Sequence, residues 1–351
     1  KTMEQDRLQR EVERLRETSA TLTQKETETQ IAKSIDLGDT SVMVISEASI
    51  PGSPVKPNTM MNIAIAMLLG LMLFTLLAFL LEYLDNTLKT PEDIDREMAL
   101  PTLGVIPRMD KKNQTEGIER LITSSNPKSP IAEAYRTLRT NIGFASVDKQ
   151  YRTILVSSAN PQDGKSTTAA NLGVAMAQAG KRVILVDCDL RKPLMHKIFQ
   201  QENSCGFSNL IMQGLPVSDV AKTFMENLDL ITSGPIPPNP SEMLSSAKTR
   251  SLWSELSKIY DYVLIDSPPV LAVADASILA SQAEGVLMVV RSGSTRNDFA
   301  RRAKEQLLTA NADIIGTVIS GMKQDTQDYQ YYYYYAANEN ENEKTGFFSF
   351  L

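Results

Sequence analysis

The sequence predicts an α/β fold: a mostly parallel sheet flanked by helices, preceded by one membrane-crossing helix and followed by a disordered tail. Three observations carry that expectation. A strand-like run, Thr153–Ser157, leads into Ala159-Asn160-Pro161-Gln162-Asp163-Gly164-Lys165-Ser166-Thr167, which opens the Ala-rich helical stretch Thr167–Ala179. Two more apolar, β-branched runs end in carboxylates: Val183–Val186 before Asp187-Cys188-Asp189-Leu190-Arg191, and Tyr262–Ile265 before Asp266-Ser267-Pro268-Pro269. Such runs read as parallel strands buried on both faces. Finally, Met60–Leu81 carries no charge and is apolar apart from Asn62 and Thr75.

From the N-terminus, residues 1–59 are expected to lie outside the cytosol. Glu4–Ile31 is charged, with Leu8, Val12, Leu15 and Leu22 at helical spacing. That predicts a long helix, either solvated or packed against another subunit. Ser41–Ser46 reads as a strand. Pro51, Pro54 and Pro57 make a stiff approach to the membrane. At 1.5 Å per residue, Met60–Leu81 reaches roughly 33 Å, enough for a hydrocarbon core of about 30 Å; the span is assigned to residues 60–82. Lys56 stands before it and Lys89 and Arg96 soon after, a small charge bias that leans towards a cytosolic C-terminal side. A chain that begins at Lys1 rather than Met is expected to be a fragment of a longer protein.

Residues 83–148 form the expected cytosolic juxtamembrane segment, with Asn113–Pro130 as a polar linker. The helix Ile131–Ile142 places Glu133, Arg136 and Arg139 at i, i+3 and i+6. That stripe is either a solvated face or an ionic clasp between neighbouring subunits, for which bidentate Arg–carboxylate pairing is suited. Residues 149–325 hold the sheet.

A glycine, a lysine and a hydroxyl at a strand–helix junction make a phosphate cradle of the P-loop NTPase type. Gly164 lets the backbone approach a nucleotide, Lys165 would reach the β/γ-phosphates, and Ser166 would ligate Mg²⁺. Ala159 stands where the pattern has its first glycine. A chance Gly-Lys-Ser, or an aspartate serving as a helix cap, explains any one feature alone. Three strand ends aimed at one sheet edge point together to a Mg–ATP site.

Composition narrows the chemistry. A net charge of −6 and a pI near 5.2 argue against a nucleic-acid-binding role. Two cysteines, Cys188 and Cys205, imply no disulfide framework, and the single histidine, His196, removes Ser-His-Asp hydrolysis and most zinc chemistry. Carboxylates remain as candidate general bases.

The tail, residues 326–351, holds Tyr329, Tyr331, Tyr332, Tyr333, Tyr334 and Tyr335, more than half of the chain's 11 tyrosines. No amphipathic helix or half-buried strand places aromatic rings on every face. The polar, aperiodic Ala336–Glu343 that follows predicts disorder. A flexible string of phenols beside acids is a candidate phosphate acceptor; an aggregation-prone tract and an aromatic binding patch are the other readings.

In this order, the features resemble the bacterial tyrosine kinases of capsular and exopolysaccharide export, which join a chain-length-determinant domain to a P-loop kinase. The residues that carry the resemblance are the proline-rich approach, the span, the Glu133/Arg136/Arg139 helix, Asp187–Pro193 with His196, Gly234–Leu244, Asp266–Pro269 and the tyrosine cluster. It implies a membrane-anchored protein-tyrosine autokinase that uses ATP and Mg²⁺, with nucleotide contacts at Asn160–Thr167 and Arg191. It further implies that Ser166, Asp187 and Asp266 hold the metal, that Asp189 or Asp187 accepts the tyrosine proton, and that Arg191 neutralises phosphate charge. Glu133, Arg136 and Arg139 would close a ring in which each tail enters a neighbour's site. The implied partners are further copies of the chain, membrane lipid, a cognate tyrosine phosphatase and the polysaccharide polymerisation and export machinery. The family's loop usually reads Pro-Gly-Glu-Gly-Lys-Ser, whereas Gln162-Asp163 stand here. The rival readings are a membrane-associated partition- or positioning-type ATPase, which would carry a lysine near position 160, and a non-catalytic regulator of chain length.

Overall fold

The computed structural model describes residues 2–36, 52, 56–109, 117–146 and 149–323. The chain divides into two units, Lys1–Ala78 and Phe79–Leu351. In the first, Thr2–Asp36 is one long helix, and its polar composition leaves it exposed wherever side chains are described. The apolar run forms the helix Thr59–Leu84, long and apolar enough to cross a membrane and without a buried residue. The expected strand at Ser41–Ser46, Pro51 and Pro54, and the tyrosine tail lie outside the described residues.

Among the described residues the second unit is built on eight strands: β1 Thr102–Pro107, β2 Thr153–Ser158, β3 Val183–Asp187, β4 Lys222–Met225, β5 Leu228–Ile231, β6 Tyr262–Asp266, β7 Gly285–Arg291 and β8 Ile314–Met322. They form one sheet in the order β1-β8-β7-β2-β6-β3-β5-β4. Every pairing is parallel except β4 with β5. Consecutive strand residues face opposite sides, so the sheet divides the core in two. Ile154, Val156, Leu185, Leu264, Leu287 and Val289 pack on one face, and Leu155, Ile184, Val186, Val263, Ile265 and Met288 on the other.

The described parts of residues 83–148 are built into this unit. Leu88 is buried, and its backbone pairs with Thr295 and Gly293 at 2.9 and 2.8 Å. Thr90 and Asp93 close a capping box that starts the helix Pro91–Met98. β1 then adds to the sheet beside β8. The expected polar linker Asn113–Pro130 also folds over its described part. Leu121, Ile122 and Thr123 are buried, and Asn171 Oδ1 accepts from the Thr123 N–H and hydroxyl, both at 3.0 Å. The polar composition there reflects one face only; the apolar pair Leu121-Ile122 seals the other against the core.

The helix expected at Ile131–Ile142 runs Pro130–Ala145, capped by Ser129 with proline at its first position. The one that follows the phosphate loop runs Lys165–Gln178 and is buried almost throughout.

Candidate active site

β2, β6 and β3 are neighbours, and their register sets Val156 opposite Asp266 and Asp266 opposite Asp187. The carboxyl ends of three strands therefore bring the phosphate loop and both aspartates to one edge. A cavity of about 720 Å³ opens there, with Pro161–Thr168, Asp189, Arg191, Lys192, Pro268, Pro269 and Arg291 among its walls.

The loop is braced from outside. Gly164 adopts φ 102°, and a Cβ there would also crowd the Ser320 hydroxyl at 3.2 Å. Asp163 is buried; its Oδ2 accepts from the Asn160 N–H at 3.0 Å and its Oδ1 from the Thr295 hydroxyl at 3.1 Å. Arg291 Nη1 donates to the Gln162 carbonyl at 2.7 Å, and the Ser320 hydroxyl donates to the Asp163 carbonyl. Burial raises the Asp163 pKa to about 6 despite these bonds. The first turn of Lys165–Gln178 aims its N–H groups at the same place, favouring an anion.

Lys165 lies among carboxylates. Its Nζ donates to Asp189 Oδ2 at 2.9 Å and to Ser166 Oγ at 3.1 Å, and lies 3.7 Å from Asp266 Oδ1. Burial works against the ammonium, but the charges of Asp266 and Asp189 outweigh it and the pKa is raised. Asp187 accepts from the N–H groups of Asp189, Leu194 and Met195 at 3.1, 3.2 and 3.0 Å. Neither oxygen of Asp266 has a hydrogen-bond partner among the described residues. Burial first, and then their mutual repulsion in the case of Asp187, pushes both carboxyl pKa values upward, while Lys165 pulls Asp266 back.

A buried carboxylate without a hydrogen-bond partner is costly, and here, among the described residues, its one close charge partner is Lys165 at 3.7 Å, beside a second carboxylate and the Ser166 hydroxyl. This all-oxygen set fits Mg²⁺, which takes one or two carboxylates and completes its shell with phosphate oxygens and water. Among the described residues no group of three or more His, Cys, Asp or Glu could hold a metal by itself.

The expected nucleotide contacts Pro161, Gln162, Asp163, Gly164, Lys165, Ser166, Thr167 and Arg191 all line the cavity. Asn160 is not among its walls; its N–H donates to Asp163. Arg191 is held by a residue that the sequence reading missed. Its Nε donates to Asp275 Oδ2 at 2.8 Å and its Nη2 to Asp275 Oδ1 at 3.3 Å. The one available signal was an aspartate standing alone in the small-residue, apolar stretch Val270–Ala280. Cys188 is fully buried, and burial pushes its thiol pKa well up.

Glu133, Arg136 and Arg139 lie along one helix and are not among the cavity walls, although Tyr135 of the same helix is. Arg136 Nη1 meets Glu133 Oε2 at 2.6 Å, and Arg139 Nη1 donates to the Ala175 carbonyl at 3.1 Å. Within one chain the trio is thus partly self-paired.

Residues 151–319 match the family described as "AAA domain", and residues 2–83 match one described as "G-rich domain on putative tyrosine kinase". Tyrosine-protein kinase YwqD of Bacillus subtilis is 46% identical over 215 residues, covering 61% of this chain and 91% of that protein. Tyrosine-protein kinase etk of Escherichia coli is 30% identical over 333 residues, or 90% of this chain; the chain spans about half of that longer relative, 46%. The solved kinase domain of the same Escherichia coli enzyme superposes with a TM-score of 0.61 at 28% identity, over 66% of this chain and 94% of that domain. Joined to a nucleotide-binding edge of this kind, these likenesses place the chain in the bacterial tyrosine-protein kinase family.

Proposed function

We propose that the protein is a membrane-anchored tyrosine autokinase that moves the γ-phosphate of ATP onto its own tail tyrosines, Tyr329 and Tyr331–Tyr335. The observation that carries this reading is the cluster of Lys165, Asp187, Asp189 and Asp266 at the edge of the phosphate loop, three buried carboxylates around one ammonium. Ser166, Asp187 and Asp266 would hold Mg²⁺, which would supply neutralisation of the phosphate charge.

In the resting chain Lys165 is tied to Asp189. Triphosphate oxygens compete for that ammonium, and its departure frees Asp189 Oδ2, while Oδ1 still accepts from the Lys192 N–H at 3.0 Å. Of the three central carboxylates only Asp189 is among the cavity walls, whereas Asp187 is occupied by three backbone donors. Asp189 is therefore the better placed to receive the phenolic proton. The tyrosine oxygen bonds to the γ-phosphorus, the bond from that phosphorus to the β,γ-bridging oxygen breaks, ADP leaves with those electrons, and the proton passes to Asp189. A phenol of reference pKa near 10 gives up its proton only as the new bond forms.

Acceptance in trans, within a ring closed by Glu133, Arg136 and Arg139, is supported by the entropy cost of bringing a tail of disorder-type sequence into a site, which assembly offsets by raising local concentration. Phosphorylation would then loosen the ring through dianion repulsion; unchanged oligomer mass after full phosphorylation would refute that step. The kinase side is read as cytoplasmic because ATP is there, with residues 1–59 outside. Control of capsular or exopolysaccharide assembly, and a phosphatase that resets the tail, complete the reading.

The test is incubation of the full chain with Mg–ATP, followed by detection of phosphotyrosine, beside a Lys165→Met control. Phosphate released with unmodified tyrosines would instead support the ATPase reading, and neither product would support the chain-length regulator.

A further inference from the structure

Arg191 and Asp275 come from different parts of the sheet edge. Arg191 follows β3; Asp275 opens the short helix Asp275–Ala280, which follows β6. The carboxylate is fully buried, while the arginine side chain is 43% exposed. Asp275 grips the Nε–Nη2 edge of the guanidinium, and the Ser241 hydroxyl donates to the same carboxylate. Ser241 Oγ also accepts from Arg191 Nη2 at 3.3 Å. Among the described residues Nη1 makes no hydrogen bond, and Arg191 is a wall of the cavity. Burial of the carboxylate makes this grip hard to exchange: an ionised Asp275 without its arginine would be an uncompensated charge in the interior.

We propose that Asp275 is a positioning residue for phosphoryl transfer, which fixes Arg191 by one edge so that its remaining N–H groups stay presented to the transferring phosphate. This rests on the kinase reading for its chemistry. The arrangement differs from that of Lys165, whose carboxylate partners lie inside the site and can be displaced. Arginine on a free stem would lose rotamer entropy on meeting phosphate; arginine already clasped has lost it beforehand. Pre-arranged donors aimed at developing charge are worth most where the group is in flight, so the clasp acts on the transition state more than on bound nucleotide.

The experiment compares the full chain with Asp275→Asn, Arg191→Ala, the double variant and Ser241→Ala. It measures affinity for Mg–ADP alone and for Mg–ADP with aluminium fluoride, which mimics the transferring phosphoryl group. Asp275→Asn and Arg191→Ala are each expected to weaken the fluoride complex about tenfold or more, and Mg–ADP by less than about threefold. The double variant is expected to be no weaker than the poorer single variant, because both lesions remove one device. Ser241→Ala, which leaves the ion pair intact, is expected to show a smaller loss with the same selectivity. Losses that multiply in the double variant, equal weakening of both complexes, or an unaffected fluoride complex would each overturn the proposal. Because no tyrosine acceptor takes part, absence of phosphotyrosine in the native protein would sink the kinase reading and leave this result standing.

Discussion

Two carboxylate clusters border the cavity, and they are balanced differently. Around Lys165, three buried aspartates face one ammonium, and Asp266 has no hydrogen-bond partner among the described residues. At the rim, Asp275 meets Arg191 one to one, with donors on both carboxylate oxygens. Buried charge is tolerated when it is paired and hydrogen-bonded. The inner cluster is therefore incomplete and suited to receive a cation and phosphates, whereas the outer one is complete and suited to hold geometry. Incompleteness marks where ligands go; completeness marks what keeps them aligned.

Lys165→Met removes the only cation of the inner cluster, and should lower tyrosine phosphorylation by about a thousandfold or more. Retention of even a tenth of the activity in a phosphotyrosine assay would mean that the inner cluster is not where charge is neutralised. Asp266→Asn should separate stability from function. Without metal the variant should melt no lower than the native protein, having lost a buried charge of raised pKa. Its gain in melting temperature from Mg–ADP should shrink towards zero, and a full gain would place the metal elsewhere.

The third prediction concerns pH. Asp163 has its pKa raised to about 6 by burial, above the ordinary 3.8. The folded state then binds the extra proton between those values, so the stabilising contribution is complete in acid and is lost as pH rises from about 4 through 6. Its ceiling is roughly 3 kcal/mol, from 1.36 kcal/mol per unit. Asp163→Asn should flatten that part of the denaturation-versus-pH curve relative to the native chain; parallel curves would show that the loop carboxylate ionises normally.

The smallest effect is expected at the helix Pro130–Ala145. The Glu133–Arg136 pair is partly exposed, so Glu133→Ala should cost no more than about 0.5 kcal/mol in unfolding. It should nonetheless reduce oligomer mass in solution if the trio joins subunits. A large stability loss with unchanged mass would make the helix a fixture like the Asp275 clasp.

Much of the inner cluster could be read from the chain. Thr153–Ser157, Val183–Val186 and Tyr262–Ile265 are short apolar runs whose character is local, and the residue after each falls at the strand end by simple continuation. Hence Asp187, Asp266 and the loop before Lys165 were found, and their meeting followed from the parallel order. The outer cluster was not legible. Arg191 and Asp275 stand 84 residues apart, and an aspartate inside an apolar stretch does not announce its partner. The braces on the phosphate loop from Thr295 and Ser320 are longer-range still, at separations of 132 and 157 residues.

The sequence by itself determined the apolar helix, the strand–loop–helix that cradles phosphate, and the identity of the carboxylates at the sheet edge, because each follows from neighbours a few residues away. Only the tertiary structure decided that β1 from the membrane-proximal stretch joins β8, that Leu121 and Ile122 seal a polar-looking segment onto the core, and that Arg191 is clasped by Asp275. Those outcomes depend on which distant surfaces remain unsatisfied once the local elements have formed. That is a property of the packed sheet edge as a whole, and no window of sequence contains it.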